Sequence, residues 1–288
     1  MSANVYEIVT KQIIETLEAG NLPMWKKPWN AGMGRPKSAL GSEYRGINYL
    51  NCVLTIMVKE YKSPLFLTYK QAQSIGGQVR KGEKGIPILF YGRTEKENKD
   101  ESYCFAKFYT VFNTDQIDGI DSVKALIKPA IKNDIPLIDR CEAVAKGFSC
   151  APEVKHGGNQ ACYIPIRDEI RMPEISTFNS SEEYYSTLFH EFVHSTGHEK
   201  RLKRDTLVHA AAFGSPVYNK EELVAELGSA FLCAETGISP RVLDNQAAYI
   251  KGFLSMLKKS PKDLVSAASQ AQKATDLILG KVQNENTN

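Results

Sequence analysis

Ser180-Ser181-Glu182-Glu183-Tyr184-Tyr185-Ser186-Thr187-Leu188-Phe189-His190-Glu191-Phe192-Val193-His194-Ser195-Thr196-Gly197-His198 is the stretch on which the reading of this chain turns. Ser180 with a Glu at the third helical position forms a capping-box pattern, which opens a helix over Tyr184 to Thr196. Tyr185, Leu188, Phe189, Phe192 and Val193 recur at helical spacing and supply its buried stripe. His190 and His194 stand one turn apart on one face, so both imidazoles reach a single Zn²⁺, and Glu191 beside them can hold a water. Five histidines in 288 residues make this arrangement rare by chance, with roughly 0.007 matches expected.

A catalytic zinc needs a third protein ligand and an open fourth position. Gly197 sits seven residues after His190, but Lys200 stands where a metzincin would carry a third histidine. His198 reaches the metal only if the helix ends at once in a tight turn. Glu222-Leu223-Val224-Ala225-Glu226 offers two carboxylates on one helical face, with Glu222 assigned to the metal and Glu226 to a ligand imidazole behind it. Glu221 points about 100° away and is expected to be solvated. In such a centre Glu191 would take a proton from water and pass it to a leaving amine. Tyr218, His209 or His198, on a loop before the second metal helix, would steady the developing oxyanion. Tyr163 to Met172 reads either as an edge strand that pairs with extended peptide or as a plain structural strand. Zn²⁺ is the expected metal, although two His and a carboxylate also suit Mn²⁺ or Co²⁺.

Away from this stretch the composition is that of a globular chain, 42% hydrophobic and 24% charged, and a length of 288 residues fits two domains. We place the boundary in the Asp-, Lys- and Pro-rich segment from Asn113 to Pro136, giving domains 1–125 and 126–288. The class is α+β: helices at Val5–Leu17, Tyr49–Glu60 and Thr68–Ile75 precede strands at Ile86–Tyr91 and Cys104–Phe112. The second half reads as mainly helical with a short sheet, its helices at 137–148, 184–196, 220–235, 241–258 and 261–279. The longest uncharged run, Thr206 to Asn219, has 14 residues and is too short to span a bilayer. Met1 to Gly20 lacks the apolar core of a signal peptide, so we expect a cytoplasmic protein with no membrane partner. Six cysteines without a Cys-x-x-Cys pair read as buried thiols.

Charge is uneven. Residues 1 to 120 hold 16 Lys+Arg and 12 Asp+Glu, and residues 21 to 94 hold 12 against 3. The same window interleaves Trp25, Trp29, Tyr44, Tyr49, Tyr61, Phe66, Tyr69, Phe90 and Tyr91 with its cations. Cations with flat rings suit single-stranded nucleic acid, whose phosphates are neutralised and whose bases stack. From this window we nominate Trp25, Lys26, Lys27, Trp29, Tyr44, Arg45, Asn48, Tyr69, Lys70, Arg80, Lys81 and Lys84 as DNA contacts. Both tryptophans lie in the proline-bracketed Pro23-Met24-Trp25-Lys26-Lys27-Pro28-Trp29.

Pro28-Trp29, Tyr44-Arg45-Gly46-Ile47-Asn48, Thr68-Tyr69-Lys70-Gln71-Ala72, Val79-Arg80-Lys81-Gly82-Glu83-Lys84-Gly85 and Val111-Phe112-Asn113 resemble the N-terminal domain of ArdC-type antirestriction proteins. His190 to His198, followed by Glu221-Glu222-Leu223-Val224-Ala225-Glu226, is similar to their metallopeptidase domain, itself akin to SprT-like proteases. The resemblance implies a plasmid-encoded protein, related to a region of conjugative TraC primases, that binds single-stranded DNA and protects incoming DNA from host restriction. One departure is that SprT-like enzymes take a histidine as third ligand where this chain offers Glu222. Two functions are carried forward. In one, a zinc peptidase is recruited to a protein on DNA, such as a restriction component. In the other, coating of the strand protects it and the metal site is structural or silent.

Overall fold

A computed structural model describes residues 4–18, 35–39, 41–95, 102–120, 137–208, 216–238, 254 and 257–281. The chain divides into two compact units, the first holding α1 as far as Thr16 and the elements through β6, the second the elements from α4 onward. Both units mix helix and sheet in the manner expected.

In the first unit α1 (Val5–Glu18) is followed by β1 (Lys37–Ser38), α2 (Gly46–Lys59), β2 (Leu65–Thr68), α3 (Tyr69–Ser74), β3 (Gln78–Val79), β4 (Ile86–Glu95), β5 (Ser102–Asn113) and β6 (Ile117–Asp118). Four strands form a sheet in the order β1-β2-β5-β4, and β3 pairs with β6. The β4–β5 hairpin runs longer than the sequence reading, from the Ile86–Val111 pair to the Glu95–Ser102 pair. The Thr68 hydroxyl accepts from Gln71 N–H while the Gln71 amide accepts from Thr68 N–H, which starts α3 immediately after β2. One core forms where α2 presents Cys52 and Ile56 to Phe66, Ile86 and Val111. A second forms on the opposite sheet face from Leu67, Ala72, Val79, Ile117 and Ile120.

β4 is an edge strand, and α2 closes part of that edge. Asn48 donates through Nδ2 to Leu89 C=O at 2.7 Å and accepts from Leu89 N–H at 2.6 Å. Its amide replaces a neighbouring strand for that residue.

The second unit holds α4 (Leu137–Gly147), β7 (Glu153–His156), β8 (Cys162–Ile164), β9 (Glu169–Met172), α5 (Ser181–Thr196), α6 (Asp205–Val208), α7 (Pro216–Thr236) and α8 (Pro261–Ile278). The strand order is β7-β9-β8, with β7 parallel and β8 antiparallel to β9. Tyr163 to Met172 is thus two strands joined by a single helical turn at Pro165–Arg167. Most of the helix read over 241–258 lies outside the described residues. Among the described residues no helix is long and apolar enough to cross a membrane.

Candidate metal centre

α5 begins as its sequence requires, with Ser180 Oγ accepting from Glu183 N–H at 3.1 Å. The reciprocal half of the box differs from expectation: the Glu183 carboxylate accepts from Asn179 N–H and Nδ2 instead of from Ser180. At the other end the helix stops at Thr196, and Gly197 N–H returns to His194 C=O at 2.9 Å. A side chain on Gly197 would put its Cβ 2.9 Å from Arg204 Nη2, so glycine makes room for a buried guanidinium there. Arg204 uses that room to donate to Val193 C=O at 2.8 Å, which satisfies one of the helix's orphan carbonyls.

α7 crosses α5 and brings three carboxylates to the histidine pair. His190 Nε2 and His194 Nε2 lie 3.1 Å apart. Glu222 Oε2 is 3.6 Å from His190 Nε2, and Glu222 Oε1 is 3.4 Å from His194 Nε2. Behind the rings, Glu226 Oε1 stands 3.4 Å from His190 Nδ1 and Glu221 Oε1 stands 3.4 Å from His194 Nδ1. In the neutral, metal-binding form of the rings these carboxylates favour protons on both Nδ1 atoms, which leaves the two Nε2 lone pairs facing each other and Glu222. Ligand bonds of about 2.1 Å give a tetrahedron with edges of about 3.4 Å, and the Nε2–Nε2 separation and the distance from each Nε2 to its nearer Glu222 oxygen are of that size. The donor set fits a divalent ion of the zinc type, and His190, His194 and Glu222 are the cluster suited to hold one among the described residues.

Glu221 is the clear correction to the sequence reading. It is buried, not solvated, because α7 packs against α4, α5, α6 and α8 and leaves no solvent face at this level. Its carboxylate accepts from Arg204 Nη2 at 2.5 Å and Nε at 3.1 Å, and from the Thr206 hydroxyl. Burial opposes its ionisation, but hydrogen bonds from His194 and Arg204 outweigh that and hold its pKa down to about 2. Arg204 from the loop after α5 and Thr206 from α6 reach α7 only in the fold, so the sequence alone does not single them out.

Glu191 is buried beside the pair, and its Oε2 accepts from Tyr163 N–H at 2.8 Å. That N–H points away from β9, so at Tyr163 the edge that one of the two readings gave to extended peptide is already bonded to Glu191. Tyr218 lies in the first turn of α7, not on a loop, and its phenol hydrogen-bonds Glu222. Burial, then the Glu222 charge, raise its pKa and keep the hydroxyl protonated. His198 is placed elsewhere: its Nδ1 accepts from Lys200 N–H at 3.2 Å and lies 3.9 Å from Asp168. Asp168 in turn accepts from Tyr163 OH and from Arg201. His209 lies outside the described residues.

Metal and proton compete for the centre. Burial lowers the His194 pKa, but hydrogen bonds to Glu221 and Glu222 overcome it, so without metal the pKa is pushed up to about 10. Zinc binding at pH 7 should therefore release about one proton, and affinity should rise about tenfold per pH unit below that value. Calorimetric titrations in buffers of different ionisation enthalpy check this; an observed heat independent of buffer would contradict it.

The nominated nucleic-acid contacts in the first unit separate into two groups. Arg45, Tyr69, Lys70, Lys81 and Lys84 are exposed. Three others are used by the fold. Tyr44 is partly buried with its ring edge-on to Phe66 at 6.0 Å, Asn48 is bonded to Leu89, and Arg80 is paired with Glu83 and Asp118. Trp25, Lys26, Lys27 and Trp29 lie outside the described residues.

Residues 142–270 match the family model of zincin-like metallopeptidases, and residues 3–116 match that of the N-terminal domain of anti-restriction factor ArdC. The chain is 33% identical to "Uncharacterized protein y4eC" of Sinorhizobium fredii (strain NBRC 101917 / NGR234), covering 95% of this chain and 91% of that one. It is 36% identical to DNA primase TraC of Escherichia coli over 97% of its own length but spans only 20% of TraC. Among solved structures, the metal-free antirestriction ArdC protein from the R388 plasmid superposes with a TM-score of 0.78 at 37% identity, covering 97% of this chain and 98% of that one. Its Mn(II)-bound form gives 0.77 at 38%, covering 98% and 99%.

Proposed function

Because the chain belongs to the ArdC antirestriction family, we propose that it protects incoming DNA by holding the single strand and acting on a protein at that strand through a divalent metal centre. In this reading residues 1–125 form the strand-binding part and residues 126–288 the zincin-like part. The carrying observation is that His190, His194 and Glu222 converge with Glu191 at the same place.

A Zn²⁺ or Mn²⁺ ion on the three donors would supply Lewis acidity toward a scissile carbonyl. The remaining work falls to side chains. Glu191 has one oxygen held by Tyr163 N–H, which orients the carboxylate to accept a proton and return it to the leaving amine. Tyr218, kept protonated, would turn its hydroxyl from Glu222 toward an oxyanion. Glu221 and Glu226 fix the two imidazole rings from behind. Exposed Arg45, Lys70, Lys81 and Lys84, with the ring of Tyr69, support strand binding by the first unit. A cytoplasmic location suits this role.

Glu191→Ala tests the reading. It should keep the metal and the DNA affinity while lowering proteolysis by on the order of 10²–10⁴-fold, the usual share of a general acid–base group. Protection of transferred plasmid DNA in a restricting recipient should fall with it. Full protection by the variant would mean that coating of the strand is sufficient and that the peptidase part of the proposal is wrong.

A further inference from the structure

β2 pairs with β5 only between Val111 and Asn113, so β4 and β5 run on from the Pro87–Thr110 pair as a two-stranded ribbon. Register puts Ile88 opposite Tyr109, Phe90 opposite Lys107 and Gly92 opposite Phe105, and cross-strand partners share a face. That face starts in the core at Ile86 and Val111 beneath α2 and then runs out into solvent. Among the described side chains beyond Ile88 it bears rings, a glycine and a cation. Phe90 is 37% and Tyr109 47% exposed, and Lys107 is exposed between them and the hairpin end.

The rings are arranged, not merely present. Phe90 meets Tyr109 edge-on at 5.7 Å and Phe105 at 6.5 Å, and Lys107 Nζ stands 4.6 Å from the Phe105 centroid. A Cβ on Gly92 would fall 2.3 Å from the Phe105 ring, so that ring lies across bare backbone. On the opposite face Tyr91 is hydrogen-bonded to Tyr6 of α1, and Tyr91 and Phe108 are themselves 43% and 44% exposed; the Phe90 face differs in carrying rings packed on one another with Lys107 among them. Exposed rings already held in place lose little freedom on binding, and their flat faces accept unstacked bases of any sequence. Lys107 is the cation set among these rings, while residues 86 to 113 as a whole balance four Lys+Arg against four Asp+Glu.

We propose that this face of the β4–β5 ribbon is the stacking surface for single-stranded nucleic acid, with bases on Phe90 and Tyr109 and a phosphate on Lys107. The assignment rests on the strand-binding reading above and locates it on residues outside the nominated set.

Fluorescence anisotropy of the full chain with a labelled oligothymidylate of about 20 nucleotides tests it. Phe90→Ala and Tyr109→Ala should each weaken binding by about tenfold or more, whereas Phe90→Trp and Tyr109→Phe retain it. Lys107→Ala should reduce the salt slope by about 0.7. Photocrosslinking of the unmodified protein to a 5-iodouracil strand, independent of any folding defect in a variant, should map to peptides containing Phe90 or Tyr109. If the wild type binds and both alanine variants bind within about twofold, this surface is not the platform, although strand binding stands. If the wild type fails to bind, the strand-binding reading falls and this one with it. Loss of self-association in Phe90→Ala without loss of oligonucleotide affinity assigns the face to protein contact and overturns the proposal.

Discussion

Glu221→Ala is expected to destabilise the second unit by about 3–5 kcal/mol, the usual result of removing one partner from a buried ion pair. Both side chains of the Glu221–Arg204 pair are almost wholly enclosed, at 5% and 3% exposure. The remaining partners of Arg204 are neutral: Val193 C=O, His194 C=O and the Thr196 hydroxyl. Its positive charge would stay buried without a counter-charge from Glu221. His194 would lose the carboxylate on Nδ1 at the same time, so zinc affinity should drop a further 10- to 100-fold. Chemical unfolding monitored by circular dichroism, with and without chelator, separates the two effects. A loss below about 1 kcal/mol in chelator would mean that water replaces the missing carboxylate, contrary to the burial argument.

The same residue sets an acid dependence. With its folded pKa held down to about 2, Glu221 contributes stability that is complete above its unfolded pKa, about 4.3, and is lost as pH falls toward 2. His194 has the opposite sign. Its raised pKa stabilises the metal-free fold below about 6.5, and that contribution is lost as pH rises toward about 10. Metal binding removes the second dependence by displacing the proton.

Helix α5 could be read directly because everything that defines it lies within one stretch: a serine cap, apolar residues at helical spacing, and two histidines one turn apart. Glu222 and Glu226 were legible for the same reason, as an i, i+4 pair aimed at that helix. Glu221 was not. Its neighbour in sequence gives no sign of Arg204, which arrives from the loop after α5, and a helix enclosed by four others has no solvent face for the usual amphipathic rule to find. In the first unit the fold adds roles that the sequence does not show. Asn48 and Arg80 look like free polar groups in a basic window, yet Asn48 also closes the edge of β4 and Arg80 also pairs with Glu83 and Asp118. Phe105 and Tyr109 look like strand interior because aromatic residues favour strands, but β2 is too short to extend the sheet beside them. β2 itself was missed because Leu65-Phe66-Leu67 is buried on both faces and shows no alternation.

Glu222→Ala is expected to lower zinc affinity by on the order of 10²–10³-fold, one ligand's share of the binding free energy of a structural zinc site. Glu222 is the single α7 carboxylate facing both Nε2 atoms, at 3.6 and 3.4 Å, whereas Glu221 and Glu226 face the Nδ1 atoms on the far sides of the rings. Neither can replace it without turning an imidazole over and breaking its own contact. Competition against a chromophoric chelator measures the loss, and circular dichroism should show α7 intact, since alanine favours helix. Glu222→Asp should recover part of the affinity because the carboxylate survives on a shorter stem. If zinc binding persists in Glu222→Ala at wild-type strength, a different third ligand is in use and the geometric assignment fails. Oligonucleotide anisotropy on the same variant adds a separate outcome. Unchanged strand affinity is expected when the metal belongs to the second unit alone, and its loss would mean that the metal supports the DNA surface, which would favour the coating reading over the peptidase one.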